Sequence, residues 1–346
     1  MNLLLQEIRH NKLLWLLLFV LSVLAIVPLA ALLSHATESV AAKTGDAVGG
    51  LLNATLGNLT ELVIGLTALK AGQYMLVKAS IAGAIVTNTL FMLGMSMLLG
   101  GLKYHVQEYN RISARMQAGL LFLATIGLLV PSAVSQADSA EKALFMQQLS
   151  LGLAVLLMVA YALGMLFSLK AHREEFASAA HSDAAEEKPW PIQLALLTLG
   201  VVTLLVALVS EVFVESVQQA AESFGMTPAF VGFIVVALVG AAAEMTSAFA
   251  GARKNRLDLS LGIALGSASQ IALFVAPVLV LLSYVLGPMP MSLQFWPGAV
   301  VMMLIATLTA SMVTNNGRSA WFTGVLLLMV YLIFALTLYL LPPRAL

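Results

Sequence analysis

The stretch NATLGNLTELVIGLTALK, residues 53–70, carries one acidic side chain, Glu61, in the middle of an apolar run. A second stretch, VGFIVVALVGAAAEMTSAFAGAR, residues 231–253, repeats this arrangement around Glu244. At the centre of a membrane helix an acidic residue costs about 2.5 kcal/mol or more. A chain that carries this cost twice, in similar surroundings, is expected to use both carboxylates.

The composition places these stretches in a membrane protein. Of the 346 residues, 60% are hydrophobic and 10% are charged, and the mean hydropathy is +0.97. Soluble domains carry about 25% charged residues, so a soluble enzyme is excluded, and disorder requires the opposite composition. The net charge of zero gives no field that would attract nucleic acid. The absence of cysteine excludes disulfides and thiolate metal sites.

The positions of the charges outline the membrane spans. About 20 apolar residues cross the hydrocarbon core as a helix, and the uncharged windows predict an all-α polytopic protein with about ten transmembrane helices in the lipid bilayer. The predicted spans are 13–33, 48–70, 76–100, 114–133, 143–169, 191–213, 228–252, 258–284, 293–313 and 319–341. The first span is expected to be retained, because its run of about 21 residues exceeds the ~7–15 apolar residues of a signal peptide. Lys/Arg bias favours both termini outside, with eleven basic residues in inner loops against six.

The two acidic stretches also predict an internal repeat. A long polar segment, 170–190, separates an N-terminal five-helix repeat, 1–169, from a C-terminal one, 191–346. Five spans are an odd number, so the halves are inverted relative to each other, as in many transporters. The register anchored on the glutamates also pairs glycines four residues before them and basic residues nine residues after them: Gly57 with Gly240, and Lys70 with Arg253.

Glu61 and Glu244 are the candidate ligands and proton-coupling groups. Inverted repeats bring equivalent positions together, and two carboxylates suit a hard divalent cation such as Ca²⁺, which takes 6–8 oxygen ligands. Without a cation the carboxylates repel each other and lose hydration, which favours protonation. Cation and protons therefore compete for one site. Further candidate ligands offer backbone or neutral side-chain oxygens near the glutamates: Gly57, Asn58, Thr87, Asn88, Gly240, Ser267 and Gln270.

Four segments resemble the signatures of the cation/proton exchanger family, within the Ca²⁺/cation antiporter superfamily. They are 53–61, 83–88, 239–244 and 258–270, and the resemblance covers nearly the whole chain. It implies ten core helices, export of Ca²⁺ against H⁺ and two glutamates as shared ligands. The chain departs from the family pattern at Ala84, Ala241 and Met245, where the family has serine, asparagine and histidine.

The segment between the repeats has two interpretations. A solvated linker is the simpler one. A regulatory cation or proton sensor is the alternative, and its ligands would be Glu174, Glu175, Glu186 and Glu187.

The prediction from the sequence is a secondary antiporter that exchanges Ca²⁺ for H⁺ by alternating access. Antiport of Mn²⁺, Na⁺ or K⁺, coupling to Na⁺, and a cation channel are the alternatives. An enzyme is not expected, because the sequence contains no HExxH, no GxSxG and no cysteine, and no cofactor is expected beyond the transported ion. The bacterial inner membrane is the expected location, and the sequence leaves open whether the chain forms a homo-oligomer.

Overall fold

The computed structural model describes residues 12–44, 49, 52, 55–134, 140–167, 189–223 and 225–340. Almost all of them are helical. The helices, numbered in chain order, are α1 Lys12–Thr44, α2 Leu59–Lys70, α3 Tyr74–Tyr104, α4 Arg111–Val134, α5 Ala140–Leu166, α6 Ile192–Ser223, α7 Pro228–Gly240, α8 Ala242–Arg253, α9 Leu257–Leu286, α10 Pro297–Val313 and α11 Trp321–Leu340. Two short strands, β1 Val106–Glu108 and β2 Arg318–Ala320, pair antiparallel.

The described helices agree with the predicted spans. Seven of them are long and apolar enough to cross a membrane, and the bent pair α7 and α8 provides an eighth span. The 17-residue α10 and the 12-residue α2 lie where two further spans were predicted. Several helices are longer than predicted: α1 continues to Thr44 and α6 to Ser223. Charged residues on their exposed faces, such as Glu38 and Glu215, did not end these helices.

The outer surface of the bundle is apolar, which is typical of a protein surrounded by lipid. Large side chains on peripheral helices are widely exposed, among them Leu13, Leu197 and Ile333. The centre of the bundle is formed by α3 and α9, whose apolar windows are 83% and 56% buried, against at most 39% for the other five long helices. These two helices carry most of the predicted neutral ligands.

Both central helices contain a π-helical turn at related positions. In α3 the turn is Thr87–Met92, and in α9 it is Ile271–Val275, directly after Gln270. Insertions of this kind often mark functional sites. A third π-helical turn, Val231–Val236, lies in α7 and packs against α3.

The crossing of α3 and α7 depends on glycine. A Cβ at Gly83 would lie 2.6 Å from the carbonyl carbon of Phe233, and one at Gly232 would lie 2.6 Å from the Cβ of Ala79. Real Cβ atoms do not approach other atoms this closely, so the two backbones pack directly. The absence of a side chain at Gly83 and at Gly232 thus allows this close approach.

One end of the bundle is closed by polar loops. Gln107 in β1 donates to the carbonyl of Ala252 (2.9 Å) and to Asn255 Oδ1 (3.0 Å). The backbone N–H of Asn110 donates to the carboxylate of Asp258. Burial raises the pKa of Tyr109, whose hydroxyl donates to the carbonyl of Val313 (3.1 Å). These contacts join the loops after α3, α8 and α10 at the same face.

Candidate cation site

Each of the two glutamates lies in the first turn that follows a break in a helix. Asn58 precedes α2 with φ −102° and ψ 30°, and Ala241 precedes α8 with φ −80° and ψ 4°. The helices on the two sides of Ala241 are bent by 60°. Glu61 and Glu244 are therefore each the third residue of their helix, where the unpaired N–H groups and the helix dipole stabilise negative charge. The breaks follow Gly57 and Gly240, whose backbone oxygens were predicted from the sequence as candidate ligands.

The fold brings the two acidic residues together. A Cβ at Gly240 would lie 3.2 Å from Glu61 Cγ and 3.4 Å from Glu61 Oε1, so the Glu61 side chain packs on the break that precedes Glu244. The carboxylate of Glu244 lies near Glu61 and near the Ser267 hydroxyl. The two carboxylates are neighbours although 183 residues separate them in the sequence.

Four of the predicted neutral ligands form one hydrogen-bonded chain between the two halves. Asn58 accepts from the Ser267 hydroxyl (2.8 Å), and its amide donates to Gln270 Oε1. Asn88 Nδ2 in turn donates to Ser267 Oγ (2.8 Å). The chain Asn88–Ser267–Asn58–Gln270 is hereafter called the amide network. Asn58 is 1% exposed, Asn88 0% and Ser267 4%, so these three are buried, and Gln270 is half-buried.

Several buried oxygens in this region receive no hydrogen bond from the part of the chain that the structure describes. They are Glu61 Oε1, Glu244 Oε2, Asn88 Oδ1 and Gln117 Oε1. Buried acceptors without a donor are costly, at about 1–3 kcal/mol each, and each one calls for an explanation. The region is thus rich in acceptors and poor in donors, as expected of a site that takes up a cation or a proton.

Not every predicted ligand points into this region. The Thr87 hydroxyl lies 3.3 Å from the Tyr331 hydroxyl and pairs with α11. A Cβ at Gly266 would meet only Gln117 Oε1, at 3.8 Å, among the described residues. Among the described residues, the backbone at Gly266 therefore makes no close contact with the backbone of another helix.

A small cavity of about 20 Å³ lies beside Glu61. A water molecule needs roughly 10–15 Å³ of such space, so the cavity has room for one water or one ion of similar size. Its lining includes Ile64, Ser80, Ala84, Gly240, Ile271 and Leu279. Glu61 and Ser80 are the polar side chains among its lining residues, and the Ser80 hydroxyl already donates to the Val77 carbonyl (2.8 Å).

Two polar residues near the site were not predicted from the sequence. Ser80 lines the cavity with Glu61, and Gln117 of α4 places its buried oxygen next to Gly266. Both are uncharged, so a map of charges does not reveal them. Their signal is weaker: each is a polar residue within, or at the edge of, an otherwise apolar helical window.

The alternative interpretation of the segment between the repeats, a regulatory cation or proton sensor, concerns four glutamates. Glu174, Glu175, Glu186 and Glu187 lie outside the described residues. Within the described ranges, no three His, Cys, Asp or Glu side chains converge on one point. The charged ligands available at the site are therefore the two glutamates.

Long apolar helices, and two broken helices that each carry a glutamate in the turn after the break, are the features of an integral membrane transporter. The chain belongs to the sodium/calcium exchanger protein family, whose model matches residues 14–170 and 194–340. This result agrees with the family resemblance seen in the sequence motifs.

Two relatives and one solved structure are similar to this chain over nearly its whole length. The chain is 41% identical to a Ca²⁺/H⁺ antiporter of Aphanothece halophytica over 338 residues, which covers 94% of this chain and 90% of the relative. It is 40% identical to the Ca²⁺/H⁺ antiporter ChaA of Bacillus subtilis (strain 168), with coverages of 94% and 92%. The solved structure of native YfkE superposes with a TM-score of 0.80 at 35% identity and covers 97% of this chain and 95% of its own.

Proposed function

We propose that the chain is a Ca²⁺/H⁺ antiporter in which Glu61 and Glu244 bind either one Ca²⁺ or protons. The observation that carries this proposal is the excess of buried acceptors: one oxygen of each glutamate lacks a donor in the described part of the chain. Two negative charges offset a divalent cation, and two protons neutralise the same charges. The relatives of similar length that are Ca²⁺/H⁺ antiporters support this choice of ions.

Neutral oxygens complete the coordination in this proposal. Two carboxylates supply at most four oxygens, whereas Ca²⁺ takes 6–8. Asn58, Asn88, Ser267 and Gln270 lie in the amide network next to the glutamates, and the carbonyls at Gly57 and Gly240 lie at the helix breaks. Thr87 is a weaker candidate, because its hydroxyl pairs with Tyr331.

Exchange by alternating access is part of the proposal. Support comes from the related positions of the breaks at Asn58 and Ala241 and of the π-helical turns that begin at Thr87 and Ile271. Inverted repeats of this kind can rock around a fixed site and expose it to either side. Because the two carboxylates are either protonated or bound to Ca²⁺, a Ca²⁺ that leaves on one side is replaced there by protons. These protons are carried back and released on the other side, where the next Ca²⁺ binds.

The test is ion flux into proteoliposomes that contain the purified protein. An imposed pH gradient should drive ⁴⁵Ca²⁺ uptake, and Glu61→Gln or Glu244→Gln should reduce it by at least about 100-fold, because one lost charge interaction of ~3 kcal/mol corresponds to that factor. The matched control is Glu108→Gln. Glu108 is 71% exposed and pairs with Arg318, so its variant should transport like the parent.

The same vesicles separate this proposal from its alternatives. Uptake driven by an Na⁺ gradient but not by a pH gradient would assign Na⁺ coupling. Uptake of Mn²⁺ or K⁺ but not of Ca²⁺ would identify a different transported cation. Unitary currents in a planar bilayer would identify a channel. Parent-like Ca²⁺/H⁺ exchange in both glutamate variants would overturn the shared-ligand mechanism.

A further inference from the structure

The two halves of the site carry different side chains at corresponding positions, with a polar residue in one half paired with alanine in the other. The register that pairs Glu61 with Glu244 also pairs Asn58 with Ala241 and Ala84 with Ser267. In the structure Asn58 and Ser267 hydrogen bond to each other in the amide network. Their counterparts, Ala241 and Ala84, are buried at 0% and 3% exposure and carry no polar side-chain atom.

The side chains around the two glutamates also differ. Glu244 lies beside the hydroxyl of Ser267. Glu61 instead faces the cavity lined by Ala84, Gly240 and Ile271. Ile271 occupies the position that corresponds to Asn88 in the other half. Near Glu61 the positions that correspond to Ser267 and Asn88 thus hold Ala84 and Ile271, and Ser80 is the one polar side chain besides Glu61 that lines this cavity.

We propose that Ala84 and Ala241 determine the cation selectivity of the site, because they remove neutral oxygen ligands from the Glu61 side. This inference rests on the proposed antiport. Ca²⁺ takes 6–8 oxygens at 2.3–2.6 Å, whereas a smaller cation is satisfied by six at about 2.1 Å. A site short of neutral oxygens loses more affinity for Ca²⁺ than for a smaller divalent cation, so it discriminates weakly between Ca²⁺ and Mn²⁺.

The space for an added ligand is present. Ala84 lines the cavity next to Glu61, and the serine side chain has one heavy atom more than the alanine side chain. Ala84→Ser would place an oxygen on the Glu61 side at the position that corresponds to Ser267. Ala82, which is 0% exposed on the same helix and is not among the cavity-lining residues, provides the matched control Ala82→Ser.

The experiment measures KM for ⁴⁵Ca²⁺ and the inhibition constant of Mn²⁺ in proteoliposomes driven by a pH gradient. Ala84→Ser should lower the KM for Ca²⁺ by about three- to tenfold, the effect of one added polar interaction. The Mn²⁺ constant should change less, and Ala82→Ser should leave both constants unchanged. Thermal unfolding in detergent reports whether each variant is folded.

Two further variants keep the test decisive. Ala241→Asn, which adds the counterpart of Asn58, should shift the preference in the same direction. Ser267→Ala should raise the KM for Ca²⁺ more than the constant for Mn²⁺. Folded variants with an unchanged Ca²⁺/Mn²⁺ ratio would overturn the inference while leaving the antiport proposal intact. A parent protein without Ca²⁺ flux under a pH gradient would instead overturn the antiport proposal.

Discussion

Asn58 and Ser267 are 209 residues apart in the chain and form a buried hydrogen bond of 2.8 Å. Asn58 stands at the break that precedes Glu61, and Ser267 lies on α9 beside Glu244. One hydrogen bond thus joins the ligand-bearing segments of the two halves. The position of each carboxylate is linked to the other half of the chain.

We expect the amide network to act as a unit. Asn58→Ala should remove the donor to Gln270 Oε1 and the acceptor of the Ser267 hydroxyl. We expect a loss of stability of about 1–3 kcal/mol and slower Ca²⁺ transport. Gln270→Ala should remove the same hydrogen bond from the other side. The double variant should therefore be less damaging than the sum of the two single variants.

Thermal unfolding in detergent and the KM for Ca²⁺ together test this coupling. Thr246→Ala is a suitable control, because the Thr246 hydroxyl bonds only the Ala242 carbonyl of its own helix among the described contacts. Fully additive effects of Asn58→Ala and Gln270→Ala would show that the two amides act independently.

The crossing of α3 and α7 should tolerate no side chain at Gly83. A methyl group there would lie 2.6 Å from the Phe233 carbonyl carbon, so Gly83→Ala must displace a backbone rather than a flexible side chain. We expect a loss of stability of about 1–3 kcal/mol or more from overpacking. The measurement is the melting temperature in detergent.

Gly152→Ala is the matched control for this substitution. It is also a helical glycine, but a Cβ at Gly152 would meet nothing within 4 Å. Alanine favours the helix there, so this variant should be as stable as the parent or slightly more stable. Equal melting temperatures for the two variants would contradict the direct backbone packing.

Gly240 should affect ion binding more than stability. A Cβ at this position would lie 3.2 Å from Glu61 Cγ, a distance at which the neighbour must give way by a few tenths of an ångström. The carboxylate can move because it ends a side chain with rotatable bonds. Gly240→Ala should therefore raise the KM for Ca²⁺ by about tenfold, the effect of ~1.4 kcal/mol, and change the melting temperature little.

The comparison for Gly240→Ala is Gly200→Ala, where a Cβ would meet nothing within 4 Å. Its KM for Ca²⁺ should equal that of the parent. If Gly240→Ala also kept the parental KM, the packing of Glu61 against the break would have no part in ion binding.

Much of the fold could be predicted from charge alone. Because charged residues are expensive in hydrocarbon, their scarcity defined most spans, and the two glutamates inside spans indicated the site. Helix ends were less predictable, as α1 and α6 illustrate, because an exposed face can carry a glutamate without ending the helix. The pairing of β1 with β2 had no local signal, since each strand has three residues.

The contacts within the site could be identified only from the structure. The sequence named Asn58, Asn88, Ser267 and Gln270 one by one, but which of them pair depends on how the two halves pack. Thr87 and Gln270 occupy corresponding positions, yet one bonds Tyr331 and the other bonds Asn58. Three points stay predictions. They are the division into repeats at 170–190, the formation of a homo-oligomer, and a regulatory role for Glu174, Glu175, Glu186 and Glu187.

The central claim is that Ca²⁺ and protons compete for Glu61 and Glu244, and the proton count on Ca²⁺ binding tests it most directly. Purified protein in weakly buffered detergent is titrated with Ca²⁺ while the released protons are measured at several pH values. The parent should release protons, up to about two per Ca²⁺, and its Kd should rise as the pH falls, because protons and Ca²⁺ exclude each other by linkage. Glu61→Gln and Glu244→Gln should each release fewer protons and bind Ca²⁺ more weakly. Ca²⁺ binding with no proton release, or with a release unchanged in both variants, would contradict the account.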